Sequence, residues 1–290
     1  MAYTPLQLAE AFLKAGELPD ALDALNQQLA VTPKDDDVLR LRAQVYMRGG
    51  RAQFQLAYTD LSSLQDKTRD DIFSMSVVLE KMGRLEEALV SAGILKNFFE
   101  IDDRLRERYI HLLHRLERFD EARAAAQLAA QQHPDDWRWR QWVGDLAVES
   151  GDDKAAADAY TDALAIIRAR YEFDFNAPAA VLENAGGDAI SLTIVASYAR
   201  LLVARGHVLR RLHYFDDSEA DYVAAEKLLP SDAAIPFNRG LVAALRGDSA
   251  EAESLCRAAL ASATPALRAH LIESLEEEPD FENLASLLNL

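Results

Sequence analysis

Apolar positions in the stretch Trp137–Leu164 recur three and four residues apart, first as Trp139, Val143, Leu146 and Ala147, then as Ala156, Ala159, Tyr160, Ala163 and Leu164. Each set falls on one face of a helix, with polar residues on the other. Between the sets, Gly151 supplies a C-terminal stop and Asp152 an N-cap. The stretch predicts a helical hairpin, with Gly144 and Ala156 small enough to let the two backbones approach. A unit this short cannot bury its apolar face alone, so the pattern must recur. It does. The turn returns at Gly16, Gly50, Gly83, Glu117, Gly151, His213 and Gly247, at intervals of 34, 33, 34, 34, 62 and 34 residues. The small residue that opens each second helix returns as Ala21, Ala57, Ala88, Ala122, Ala156, Ser218 and Ala252, the second delayed by about two extra residues in the turn RAQFQ. Pro33, Pro134 and Pro230 mark repeat ends.

The period of 34 comes with a recurring set of residues: Leu8, Ala9, Phe12, Gly16, Ala21 and Pro33 in repeat one, Val143, Gly144, Gly151, Ala156, Tyr160 and Ala163 in repeat five, and Gly206, Leu209, Phe215, Tyr222, Ala225 and Pro230 in repeat six. Over about residues 3–264 this resembles the tetratricopeptide repeat. The resemblance implies an all-α, right-handed superhelical solenoid of about seven helical hairpins with a C-terminal capping helix. Residues 1–170 form repeats one to five and residues 199–264 repeats six and seven. Residues 171–198 are an insertion, in which Asp188 caps a long helix and the loop EFDFNAPAAVLENAGGD carries Phe173, Phe175 and Val181. Residues 265–290 are the cap: Thr264 and Pro265 open a helix, Leu267, Leu271, Ile272 and Leu275 form its stripe, and Phe281, Leu284, Leu287 and Leu288 fold back over the last repeat. The run Glu276, Glu277, Glu278, Asp280 and Glu282 reads as a solvated outer surface.

Composition narrows the function. The net charge of -17 disfavours nucleic acid and anionic lipid on average. Partners are therefore expected to be proteins or peptides, with no nucleic acid and no membrane. The single cysteine, Cys256, excludes an internal disulfide and fits a reducing, cytoplasmic setting. The first residues have no basic segment and no unbroken apolar core, so no signal peptide is expected. No apolar run is expected to span a bilayer, since the richest, Ile190–Ala204, is interrupted by Ser191, Thr193, Ser197 and Arg200. Catalytic constellations with supporting context are missing: the Gly-Gly pairs lack the strand and lysine of a phosphate loop, and there is no HExxH or CxxC. His111 and His114 share a helical face, but Arg108 and Arg115 on it repel a cation, so no metal and no cofactor is expected. The carboxylate pairs Asp152-Asp153 and Asp216-Asp217 are explained as helix-start residues.

In the family the first helices of successive repeats line the concave surface. The corresponding slots hold Arg104, Glu107, Arg108, His111, His114 and Arg115 in repeat four, Arg138, Gln141, Trp142, Asp145, Val148 and Glu149 in repeat five, and Arg200, Val203, Ala204, His207, Arg210 and Arg211 in repeat six. Arginine and histidine thus gather on the implied groove of an acidic chain. Either they take an acidic or C-terminal segment of a partner, with Trp142 as apolar anchor, or they pair with carboxylates on adjoining helices. Family members that dock chaperone C-termini use a carboxylate clamp whose slots here hold Arg40, Gln44, Ser74, Arg104 and Arg108; the charges are kept while both clamp asparagines are replaced. The expected function is a non-enzymatic adaptor. The alternative is self-assembly through an outer face or the insertion.

Overall fold

The computed structural model describes residues 3–171, 175 and 189–289. Among these residues the regular structure is helical throughout, with no strand. The helices are α1 (Pro5–Ala15), α2 (Leu18–Val31), α3 (Asp36–Arg48), α4 (Phe54–Ser63), α5 (Arg69–Lys81), α6 (Leu85–Ile94), α7 (Asp103–Arg115), α8 (Phe119–Gln132), α9 (Trp137–Glu149), α10 (Asp153–Arg170), α11 (Ala189–Arg211), α12 (Phe215–Leu228), α13 (Ala234–Leu245), α14 (Ser249–Ser262), α15 (Pro265–Glu277) and α16 (Glu282–Leu288). Odd-numbered helices up to α13 are the first members of the hairpins and even-numbered ones up to α14 the second. The extra residues of repeat two form a 3-10 turn, Arg51–Gln53. Two compact units divide the chain within α8, residues 1–125 and 126–290.

Every predicted hairpin turn is left-handed. Gly16, Gly50, Gly83, Gly151 and Gly247 have φ between 74° and 93°, and Glu117 and His213 have 57° and 62°. The repeating element is therefore a backbone shape, which two repeats build without glycine. At Glu117 the turn is closed as at Gly16, Gly83, Gly151 and Gly247: Glu117 N–H donates to His114 O at 2.9 Å and Arg118 N–H to Leu113 O at 2.9 Å. A non-glycine residue there carries steric strain of about 1–2 kcal/mol. Glycine loses part of that gain to the entropy of the unfolded chain, so Glu117→Gly should stabilise by about 0.5–1 kcal/mol, read as a higher Tm; a lower Tm would mean that the Glu117 side chain contributes more than the strain costs.

In the first unit, Ala9, Ala21, Leu25, Ala43, Val45, Ala57, Leu61 and Val78 form a buried cluster along the hairpins. In the second, Ala156, Tyr160, Ile167, Tyr198, Leu202, Tyr222 and Val242 do the same. At the helix crossings of the second unit the first helix must be bare: a Cβ on Gly144 would lie 2.5 Å from the Tyr160 ring, and one on Gly206 2.9 Å from the Tyr222 ring. Cys256 occupies the equivalent slot in repeat seven. It is wholly buried, and burial pushes its thiol up to about 12, so it is an inert core residue.

One polar device recurs that the apolar pattern does not announce. Arg42 on α3 donates Nε to Asp60 Oδ2 at 2.8 Å, Nη2 to Asp60 Oδ1 at 2.7 Å, and Nη1 to Asn26 Oδ1 at 2.8 Å. Arg205 on α11 forks onto Asp221 at 2.7 Å through both bonds and reaches Thr161 Oγ1 at 3.0 Å. In each case an arginine of a first helix ties its own second helix to the second helix of the preceding repeat. Both carboxylates are buried. Arg239 on α13 makes a related bridge to Glu219 and Glu226 of α12.

Three sequence expectations are modified. The stretch Leu192–Arg211 of α11 is long and apolar enough, by length and composition, to cross a bilayer, whereas none was expected. The reason is packing: Ile194, Val195, Tyr198, Leu201, Leu202 and Val208 are core residues of a lengthened first helix. Within the insertion, Phe175 is buried against Tyr198, ring centroids 4.3 Å apart, while Phe173, Val181 and the cap Asp188 lie outside the described residues. In the cap, Phe281, Leu284 and Leu288 are buried as expected, whereas Leu287 is 41% exposed, and Glu278 is bonded to Arg210 and is not simply part of a solvated rim.

Candidate functional site

In the first unit the predicted site residues lie on α3, α5 and α7, and their charges are matched locally. Arg40 donates Nε to Asp71 Oδ2 at 2.9 Å, Nη1 to Asp37 Oδ1 at 2.9 Å and Nη2 to the Asp66 carbonyl at 2.6 Å. Asp71 is buried and also closes the N-terminal capping box of α5 with Thr68. Of the other clamp slots, Gln44 is exposed and Ser74 half-buried. Arg104 turns back onto the N-cap carboxylate of its own helix, Asp102, at 2.8 Å, and touches Asp70 at 3.4 Å.

The densest arrangement surrounds Glu80, near the C-terminal end of α5. Arg108 forms an ion pair with Glu80 Oε2, and its Nε and Nη2 also donate to Ser76 Oγ at 3.0 Å and Ser76 O at 2.6 Å. His111 Nε2 lies 3.0 Å from Glu80 Oε1, and Arg115 Nη1 donates to the same oxygen at 2.8 Å. Burial acts to raise the Glu80 pKa, but the bonds from Arg108 and His111 outweigh it and hold the carboxyl below its ordinary value. Two guanidiniums and an imidazole thus share one carboxylate. Arg108 is nearly buried, its side chain 10% exposed, whereas Arg115 and His111 are 48% and 42% exposed. Two guanidiniums thus outnumber the one carboxylate they share, and Arg115 and His111 face its exposed side.

The second unit brings its predicted residues less close together. Arg138 forks onto Asp136, the N-cap of its own helix α9. Trp142 is half-buried, while Trp139 is packed in the core as its register requires. Asp145 accepts from Tyr160 Oη at 2.7 Å, so a second-helix tyrosine reaches through the crossing to the first-helix face. On α11, Arg211 pairs with Asp153 and Arg200 is exposed, with no ion-pair partner among the described residues. His207 keeps solvent contact, yet the protein mass around it, and then Arg210 and Arg211, disfavour its charged form and lower its pKa. Of the two alternatives the sequence leaves open, pairing with carboxylates is seen for Arg40, Arg104, Arg108, His111, Arg115, Arg138 and Arg211. For Arg104 and Arg138 the partner is the N-cap two residues earlier; for Arg108, His111 and Arg115 it lies one repeat earlier, beyond the reach of a helix-by-helix reading. The buried Arg205–Asp221 and Arg42–Asp60 bridges were missed altogether. Their signal is an arginine eight residues before the turn, present at Arg42, Arg205 and Arg239.

No group of three or more His, Cys, Asp or Glu side chains is placed to hold a metal ion among the described residues. His111 is engaged with Glu80, and His114 packs its ring on Phe119 at 5.6 Å.

Over residues 6–58, 111–172 and 203–266 the chain matches the family model described as the tetratricopeptide repeat. Among solved structures, the C-terminal part of a TPR repeat-containing protein from Cytophaga hutchinsonii superposes with a TM-score of 0.59 at 12% identity, covering 89% of this chain and 93% of that one. The MamA protein gives 0.50 at 16% identity over 58% and 94% of the two chains. YrrB, described as a TPR protein with an unusual peptide-binding site, gives 0.49 at 14% identity over 78% and 100%. No protein of curated function matches the sequence. At these identities the structural likenesses speak to fold alone. The family match spans more than half of the chain, which belongs to the tetratricopeptide-repeat family, an all-α array of helical hairpins that generally serves as a protein-interaction scaffold without catalysis.

Proposed function

We propose that this scaffold takes an acidic or C-terminal segment of a partner protein on the face formed by α5 and α7. The observation that carries the reading is the sharing of Glu80 by Arg108, His111 and Arg115. Glu80 is already paired with nearly buried Arg108, and a further pair to half-exposed Arg115 adds only about 0–1 kcal/mol, so stability alone gives little reason to gather more cationic groups around it. Glu80 orients the guanidiniums, and half-exposed Arg115, with Arg104, 63% exposed, toward the start of the same helix, would meet an incoming carboxylate through guanidinium donors. Arg108 is the fixed floor of this arrangement.

The test uses a labelled glutamate-rich peptide with a free C-terminus, its amidated form and a lysine-rich control. The acidic peptides should bind with an affinity that falls as salt rises, and Arg104→Glu with Arg115→Glu should weaken binding at least about tenfold, a loss of about 1.4 kcal/mol. These positions are exposed, so the variant should fold. Equal binding of the lysine-rich peptide, or an unaffected double variant, would move the site elsewhere.

A second reading, self-assembly, has one observation in its favour. Val90, Ile94, Phe98 and Ile101 follow one another at helical spacing along α6 and the turn after it, and they are 68%, 61%, 36% and 73% exposed. An exposed apolar stripe marks interaction surfaces. Light scattering with mass measurement on the wild type and on Val90→Glu/Ile94→Glu separates the readings, since only a stripe-mediated oligomer would dissociate.

A further inference from the structure

One guanidinium of the α11 face is already occupied by the chain itself. Arg210 donates Nη1 to Glu278 Oε2 at 2.9 Å and Nη2 to Glu278 Oε1 at 3.0 Å, a two-bond fork onto a residue 68 positions later. The Phe281 ring centroid lies 5.3 Å from the Arg210 guanidinium carbon. Glu278 precedes the 3-10 turn Pro279–Phe281 and Phe281 ends it, so one short segment presents a carboxylate and an aromatic ring to one arginine. Phe281 is fully buried, in a cluster with Phe237 and Leu241 of α13. The Glu278 side chain remains 43% exposed. The bonds therefore join repeat six to the segment after α15, passing over repeat seven.

A cap needs an apolar inner side to cover the last hairpin and a polar outer side to face water. Leu284 and Leu288, both buried, and the stripe of α15 meet that need close to repeat seven. The Glu278–Phe281 contact does something else. It is a charge-assisted fork beside an arginine–aromatic contact, on the face where repeats of this kind present residues to a partner, and it is the chemistry by which a short peptide is held. We propose that the α11–α13 face around Arg210 is a peptide site for a partner segment with a glutamate three residues ahead of a phenylalanine. The chain's own residues 278–281 fill that site in the structure, and a partner enters by displacing them. Affinity in the intact chain is then the intrinsic affinity reduced by the fraction of molecules whose segment is open. This site is separate from the Glu80 cluster and does not depend on it.

The probe is a labelled synthetic peptide with the sequence of residues 274–290, titrated into the full-length chain by fluorescence anisotropy. Wild type should bind it weakly. Glu278→Arg, which sets two cations against each other, should open the segment and raise affinity for the peptide about tenfold or more. A peptide in which Phe281 is replaced by Ala should lose that gain. The charge swap Arg210→Glu with Glu278→Arg should close the segment again and return affinity to the wild-type level or below. Should Glu278→Arg lose its helical circular dichroism, the comparison passes to Glu278→Gln, which removes the charge and keeps an acceptor. Peptide affinity unchanged from wild type in a folded Glu278 variant would overturn the proposal and make the segment a permanent cap.

Discussion

Replacing Arg205 by Ala is expected to destabilise the second unit by about 3–5 kcal/mol, the cost of leaving a buried carboxylate without its partner. Asp221 is 5% exposed and accepts both forked bonds of Arg205, while a third bond holds Thr161 of the preceding repeat. The bonds to Asp221 raise the Arg205 pKa above its ordinary value, whereas burial works against the carboxylate. The pair is thus far more important to keep whole than it is stabilising in sum. The double variant Arg205→Leu with Asp221→Leu should recover most of the loss, because apolar residues of similar size often replace a buried ion pair at little cost. Chemical denaturation of the three proteins gives the comparison. If Arg205→Ala costs no more than about 1 kcal/mol, in the range of an exposed pair, the bridge is solvated in solution and its burial is not felt.

The fold was legible because its signal is repeated. The spacing of the turns, the small residues opposite them and the alternation of apolar faces all return at one period, and the left-handed turns fall at all seven positions read from it, Glu117 and His213 included. The charges were less legible. Arg108, His111 and Arg115 stand out on α7 as a cationic stripe, but what they do is decided by Glu80, a single carboxylate on another helix 28–35 residues earlier. Side chains of that length choose among partners in three dimensions, and periodicity ranks only faces. Arg138 with Asp136 and Arg104 with Asp102 were closer to hand, because an N-cap Asp two residues ahead of an arginine can turn it inward. Glu278 illustrates the opposite error. In a run of acidic residues it reads as surface, and its pairing with Arg210 follows only from the path of the chain after α15.

Gly144→Val should cost about 3 kcal/mol, at the upper end for overpacking a core, since the new side chain must enter space already filled. Its first carbon would meet Tyr160 Cε1 at 2.5 Å and Cδ1 at 2.7 Å. The ring has nowhere to go: Tyr160 is 3% exposed, and its hydroxyl is tied to Asp145 Oδ1 at 2.7 Å. The array itself suggests the remedy. At the same two register positions the chain has Ala9 with Leu25 in repeat one and Ala43 with Leu61 in repeat two, all buried, whereas repeats five and six have Gly144 with Tyr160 and Gly206 with Tyr222. In these four repeats a larger residue on the first helix goes with a smaller one on the second, as expected where two close-packed helices share a fixed volume, while repeat seven has small residues, Gly240 and Cys256, at both positions. Gly144→Ala alone should be destabilising despite the better helix propensity of Ala, and Tyr160→Leu alone should lose ring area and the bond to Asp145. The pair Gly144→Ala with Tyr160→Leu should be more stable than the sum of the single losses by about 0.5–3 kcal/mol, the range of coupling between residues in contact. Denaturant unfolding of the four proteins closes the cycle. Additive losses would show that the crossing relaxes around a methyl group, and that glycine is held there for a reason other than the approach of Tyr160.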